Sequence, residues 1–174
     1  MALVSLQYRF RQPFRADAPS AYAWCTDYRA SDAAYFGDRR TRAIRWLAAD
    51  TLVMTDTTYP KGRRVRIQRL VRLSPGELSW TNTHLSGPFR HSQYWYRIVA
   101  DGPQRSHLDF RGLKLVRKAA RLGRAATARR AEAERREDAG LWRDRLAPAL
   151  ESDLGRSGRG VGRGRKRSRA SGRR

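Results

Sequence analysis

In the segment from Arg63 to Leu73, the apolar residues Val65, Ile67, Val71 and Leu73 fall at alternate positions, and Arg69 shares their parity. An arginine on the apolar face of a strand points inward, where its planar guanidinium can do one of two jobs. It can recognise a carboxylate or phosphate on a bound ligand through paired hydrogen bonds, or close an internal ion pair with a residue such as Asp56. A bulge that turns Arg69 outward is a third reading. Further along, Leu78, Trp80, Asn82 and His84 share one parity, and Tyr94, Tyr96 and Ile98 share another. With Arg69, the residues Trp80, Asn82, His84, Tyr94 and Tyr96 form the candidate ligand-binding set, a wall that becomes more polar toward one end. The plainer alternative is that Trp80, Tyr94 and Tyr96 are core aromatics with polar tips at the rim.

His84 has the side chain best suited to move a proton near neutral pH, although a histidine at a strand end is also explained by simple hydrogen bonding or solvation. No catalytic residue is assigned. His84, His91, His107 and the single Cys25 lack the spacing of a metal site, so no metal is expected. There is no phosphate-binding GxxxxGK[ST], no GxSxG elbow and no strand-linked GxGxxG, so no cofactor is expected either.

These residues have to be positioned by short, turn-punctuated segments. Leu3 to Arg11 alternates as a first strand, with Val4, Leu6, Tyr8 and Phe10 on one face. Asp17 is placed to cap a helix whose one face carries Ala21, Trp24, Cys25 and Tyr28, and Ser31 to Gly37 can form a second, short helix. Six strands follow, at 41–48, 51–59, 63–73, 77–84, 91–100 and 105–111, and every break between them contains Gly, Pro or Asp. Ser74-Pro75-Gly76-Glu77 reads as a type II turn, with the positive φ on Gly76. After Gly112 the pattern reads as helical. Leu115, Ala119, Leu122 and Ala126 form a thin apolar stripe, and Arg117, Arg121 and Arg124 form a basic one. A second helical run from about Ala131 carries Leu141, Trp142, Leu146, Ala149 and Leu150, with a kink expected at Pro148.

The chain of 174 residues carries a net charge of +22, from 38 basic and 16 acidic residues. Nine of the cations lie in 155–174: Arg156, Arg159, Arg163, Arg165, Lys166, Arg167, Arg169, Arg173 and Arg174. The remaining 29 basic and 16 acidic residues leave 1–154 at +13, so the body is basic as well. Only four of the cations are lysines, a choice that a GC-rich genome makes without functional selection. The expected organisation is one domain over 1–154 and a disordered Arg/Gly-rich tail over 155–174. The tail's cations are the candidate nucleic-acid-binding residues, able to follow an RNA or DNA backbone. A solubilising extension is the plainer reading, and an anionic membrane surface under Arg117, Arg121 and Arg124 is a further one. A lone cysteine and the absence of any long apolar run point to a cytoplasmic protein without a transmembrane segment.

The order strand, helix, short helix, six strands, long helix resembles the START-like (SRPBCC) superfamily. Ala21-Tyr22-Ala23-Trp24-Cys25-Thr26-Asp27-Tyr28 is similar to that family's first-helix segment, and Leu141-Trp142 through Leu146-Ala147-Pro148-Ala149-Leu150-Glu151 to its last helix. The resemblance implies an α+β helix-grip fold, with a curved antiparallel sheet of about seven strands wrapped on a long C-terminal helix. It also implies a cavity for a hydrophobic or amphipathic small molecule. The leading functional expectation is therefore a non-enzymatic binding or transfer protein with a basic tail. An RNA- or ribosome-associated protein and a cyclase-like enzyme are the alternatives.

Overall fold

The computed structural model describes residues 2–36, 40–118, 120 and 122–161, with backbone alone from 157 to 161. Strand β1 (Ala2–Phe14) leads into α1 (Ala18–Thr26), and a 3-10 helix (Ala30–Phe36) follows. The meander is β2 (Thr41–Ala48), β3 (Thr51–Thr58), β4 (Val65–Ser74), β5 (Ser79–His84), β6 (Gln93–Gly102) and β7 (Arg105–Lys118). The C-terminal helix has three parts: α2 (Arg124–Leu141), one π-helical turn (Trp142–Leu146) and α3 (Ala147–Val161). The seven strands form one antiparallel sheet in the order β1-β7-β6-β5-β4-β3-β2, so the first strand closes beside the last. This is the helix-grip α+β fold.

Alternation explains the sheet. Tyr8 on β1, Leu52 and Met54 on β3, Trp80 on β5 and Leu108 and Phe110 on β7 all bury the same face in one core with Trp142, Leu146 and Leu150 of the helix, while Val4 and Leu6 of β1 join Val116 of β7 in a second cluster covered by Phe89, Leu122 and Ala131. The other face is largely exposed. β1 is an edge strand, which is why Pro13, lacking an N–H, can stand opposite His107 without breaking the ladder. At the start of α1, the Asp17 carboxylate accepts the Ser20 N–H at 2.8 Å. The helix ends at Thr26, two residues earlier than the apolar spacing suggests, and Tyr28 packs on the core from the loop beyond.

Three expectations are corrected. First, the segment after Gly112 is strand, not helix. β7 runs to Lys118 because β1 extends back to Ala2 and pairs with it along the whole length, Ala2 facing Lys118. Alternation persists, but its inward positions are Gly112, Lys114 and Val116, and the glycine and the lysine hide the period. Arg117 is thus on a strand and Arg124 opens α2, so these two do not share one helix, and Ala119 and Arg121 lie outside the described residues. Second, the Ser74–Glu77 reversal is a 3-10 turn over Pro75–Glu77, with the positive φ of 49° on Leu78 rather than Gly76. A right-handed turn closed by one left-handed residue suits a twisted hairpin, and Leu78 is held there as its carbonyl accepts the Ile98 N–H at 2.9 Å. Third, the gripping helix starts at Arg124, and its irregularity precedes Pro148, as a π turn closed by the Ala147 N–H donating to the Trp142 carbonyl.

Of the residues assigned to the basic tail, Arg156 lies on α3 and pairs with Asp153. Residues 157–161 are described by backbone alone, and Arg163, Arg165, Lys166, Arg167, Arg169, Arg173 and Arg174 lie outside the described residues, as does Gly37.

Gly112 stands between Tyr8 and Tyr94 in the cross-strand row, and a Cβ there would lie 2.9 Å from Tyr8 Cζ and 3.2 Å from Phe110 Cε1. Neither ring is a loose side-chain end. Gly112→Ala is expected to cost about 1–3 kcal/mol, the usual range for overpacking, read as a lower urea midpoint with an unchanged m-value.

Candidate functional site

The concave face of the sheet and the helix enclose a cavity of about 1050 Å³, and Arg69, Trp80, Asn82, His84, Tyr94 and Tyr96 all line it. Register brings them together. Arg69 on β4 stands opposite His84 on β5 and Met54 on β3, and Asp56 faces inward two residues beyond Met54, paired across the sheet with Arg42 of β2. Asp56 is fully buried. It accepts a two-point contact from Arg42, at 2.9 Å from Nε and 3.2 Å from Nη2, as well as a close bond from Arg69 Nη2. Arg40 approaches to 3.7 Å, and Asp32 lies 3.9 Å from Arg42. Phe36 sits 5.2 Å and 5.1 Å from the guanidinium carbons of Arg40 and Arg42.

Burial alone pushes the Asp56 carboxyl up, but Arg42, Arg69 and Arg40 outweigh it and hold it below its ordinary value. The centre therefore has three guanidiniums on one carboxylate, with Asp32 at the far end of Arg42. Excess positive charge faces the cavity. Beside it, Arg69 Nε, Asn82 Oδ1 and His84 Nδ1 are buried without a hydrogen-bond partner among the described residues. Burial, followed by Arg69 and Lys114, pushes His84 down to about 3. Its imidazole stays neutral at physiological pH, presenting one donor and one acceptor instead of a proton poised near neutrality.

The aromatic wall also follows from register. Trp80, Tyr96, Phe110 and Phe10 form one cross-strand row. Trp80 stacks on Tyr96 at 4.7 Å with an interplanar angle of 2°, Tyr96 meets Phe110 edge-on at 5.1 Å, and Phe10 stacks on Phe110 at 4.5 Å. Trp142 closes the row from the helix side, 6.4 Å from Tyr96.

The helix contributes polar groups that the sequence pattern did not flag. The Tyr8 hydroxyl donates to Asp138 Oδ2 at 2.5 Å, and both Asp138 and Lys114 line the cavity. Lys114 pairs with the buried Glu134, which Arg130 also holds at 2.7 Å, and its ammonium lies 4.2 Å over the Phe89 ring. Burial raises the Asp138 carboxyl above its ordinary value, against the lowering by Tyr8 and Lys114. Lys114 was missed with the strand that carries it. Asp138 and Glu134 were missed because helical charges read as solvated by default. Arg42 was missed as well, although it shares the parity of Ile44 and could have been found by it.

No family model matches the chain, and no curated protein does either. Solved structures do. The Zhui aromatase/cyclase from Streptomyces sp. R1128 aligns over 92% of this chain and 99% of its own, with a TM-score of 0.62 at 17% identity. A START superfamily protein from Mycobacterium smegmatis aligns over 87% and 99%, with a TM-score of 0.59 at 16% identity. Norcoclaurine synthase from Thalictrum flavum aligns over 88% of each chain, with a TM-score of 0.62 at 9% identity. The chain has the START-like fold. No helix among the described residues is long and apolar enough to cross a membrane.

The neutral His84 makes stability pH-dependent. Its folded value lies below the ordinary 6.5, so the unfolded chain takes up a proton first as the pH falls from about 6.5 toward 3, and stability is lost across that window. At pH 5 the loss is about 2 kcal/mol, at 1.36 kcal/mol per unit. Asp56, held low, adds a further loss below its ordinary 3.8. Thermal melts of wild type and His84→Asn between pH 7 and pH 5 are expected to diverge, with the variant's profile flatter. Parallel profiles would assign the acid sensitivity to another group.

Proposed function

We propose that the cavity binds an amphipathic small molecule carrying a ring system and an anionic or strongly polar head. The observation that supports this is the pairing of two unlike surfaces in one cavity. A stacked aromatic wall ends at a cationic centre where Arg69 Nε, Asn82 Oδ1 and His84 Nδ1 have no partner among the described residues. The rings bury against Trp80, Tyr96 and Phe110, and the head meets Arg69 with His84 and Asn82 beside it. The comparisons lend the reading support, because norcoclaurine synthase, of the same fold, is solved with dopamine and hydroxybenzaldehyde. Binding or transfer is thus the leading function, and a cavity of this size weighs against a domain that serves only as a docking surface for RNA. The basic stretch beyond Leu154 is proposed to contact a polyanion.

A second reading, a cyclase-like reaction, has its own observation. Asp138 is a carboxyl raised by burial, bonded to Tyr8 and opposite the cationic wall, and a carboxylic acid that keeps its proton can protonate a carbonyl oxygen. An aromatase/cyclase of the same fold gives the reading a precedent. Asp138→Asn separates the two, since it spares ligand binding and abolishes turnover only if chemistry occurs.

Arg69→Met removes the charge and keeps most of the apolar stem, while Asp56 retains its two-point contact with Arg42, so the fold is expected to survive. The variant should bind the anionic aromatic probe anilinonaphthalene sulfonate about tenfold more weakly, a loss on the scale of one charge-assisted hydrogen bond. The uncharged N-phenylnaphthylamine should bind nearly as before. Equal losses for both probes would remove the anionic head from the reading.

A further inference from the structure

The face of the sheet turned away from the cavity carries a pattern that ligand binding does not use. Cross-strand partners place Arg9, Arg111, Trp95, Thr81 and Arg72 in one row, running from β1 through β7, β6 and β5 to β4. All three arginines are exposed, and none has an ion-pair partner among the described residues. Trp95 is 40% exposed and stands directly beside Arg111. In the rows on either side, Arg97 and Arg45 are exposed as well, and Asp109 is the one carboxylate of the three rows. Asp109 is already engaged by Arg11 at 3.1 Å.

Two physical facts make this arrangement informative. Like charges directly opposite each other on antiparallel strands repel, and Arg9 faces Arg111 with no carboxylate between them. A large aromatic left 40% exposed among cations leaves part of its apolar surface in water, yet it offers a flat π-face within reach of guanidiniums. Neighbouring strands lie about 4.8 Å apart, so the row from Arg9 to Arg72 spans four spacings, or roughly 19 Å. That is a track long enough for a few nucleotides. We propose that this outer face binds single-stranded nucleic acid, with Arg9 and Arg111 on phosphate at one end of the row, Arg72 on phosphate at the other, and a base stacked on Trp95 between them. Charge complementarity selects a polyanion, and a single exposed ring in these rows, with Gln7, Gln93, Thr81 and Thr83 as well as the half-buried Leu113 and Leu70 near it, suits base stacking better than insertion into lipid. The surface is separate from the cavity. Its occupancy does not depend on the small-molecule reading.

The test uses the full chain, so that cations outside the sheet contribute equally to every variant. Fluorescence anisotropy would follow a labelled single-stranded oligouridylate and, separately, its duplex with oligoadenylate, across a salt series. Arg9→Ser/Arg111→Ser is expected to reduce the salt slope for the single strand by about 1.4, at roughly 0.7 for each phosphate no longer neutralised. Trp95→Ser should weaken the single strand about tenfold and the duplex much less, and Trp95→Phe should restore most of the affinity. Arg124→Ser/Arg129→Ser removes two exposed cations from α2, equal in charge but away from this face, and should change little. All variants are at exposed positions, and thermal melts would check that each folds. Equal losses from the α2 pair and the sheet pair would overturn the proposal, because charge anywhere would then suffice. So would a Trp95-dependent association with phosphatidylserine vesicles that the oligonucleotide does not share, which would make the face a membrane surface.

Discussion

A fully buried carboxylate holds the open side of the sheet together. Asp56 on β3 cannot be taken out of water alone, since an uncompensated interior charge costs several kcal/mol. Arg42 from β2 and Arg69 from β4 must both turn inward to meet it, so three adjacent strands are locked in register by one side chain. The same contact sets the chemistry of the cavity, because satisfying one carboxylate with three guanidiniums leaves positive charge over. Burial, followed by Arg69 of this centre and by Lys114, keeps His84 neutral. Structure and electrostatics are here a single fact.

The opposite wall supplies carboxyl groups. Glu134 and Asp138 face inward from α2, the first paired with Lys114 and the second holding the Tyr8 hydroxyl. A ligand between the two walls would meet guanidiniums at one side and a carboxyl raised by burial at the other, with stacked rings between them. An amphipathic occupant therefore has one favourable orientation, fixed before any shape complementarity is considered.

The sheet was legible where side chains alternate cleanly, and the cavity wall was legible with it. Arg69, Trp80, Asn82, His84, Tyr94 and Tyr96 were placed together by parity alone, because the side-chain period of a strand is two regardless of what the chain does elsewhere. Reading failed where the inward residues were not apolar. Gly112 and Lys114 concealed the second half of β7, since one leaves room for the Tyr8 ring and the other serves Glu134. Glu134 and Asp138 concealed the inner face of α2 in the same way. The Leu78 turn escaped because tertiary contact with Ile98, and not glycine's conformational freedom, decided which residue took the positive φ. Each miss is a position where a partner distant in sequence overrode local preference.

The π-helical turn at Trp142–Leu146 resolves a problem of phase. Glu134, Asp138, Trp142, Leu146 and Leu150 succeed one another at intervals of four, and in an α-helix of 3.6 residues per turn such a row drifts by about 40° per step. Over the length of this helix the drift would carry one end of the row off the sheet. The wider turn absorbs part of it, so the polar upstream half and the apolar downstream half address the same sheet face. The helix behaves as two modules joined by a phase adjuster. Residues that set what the cavity recognises can vary on the first module without disturbing the anchor supplied by the second.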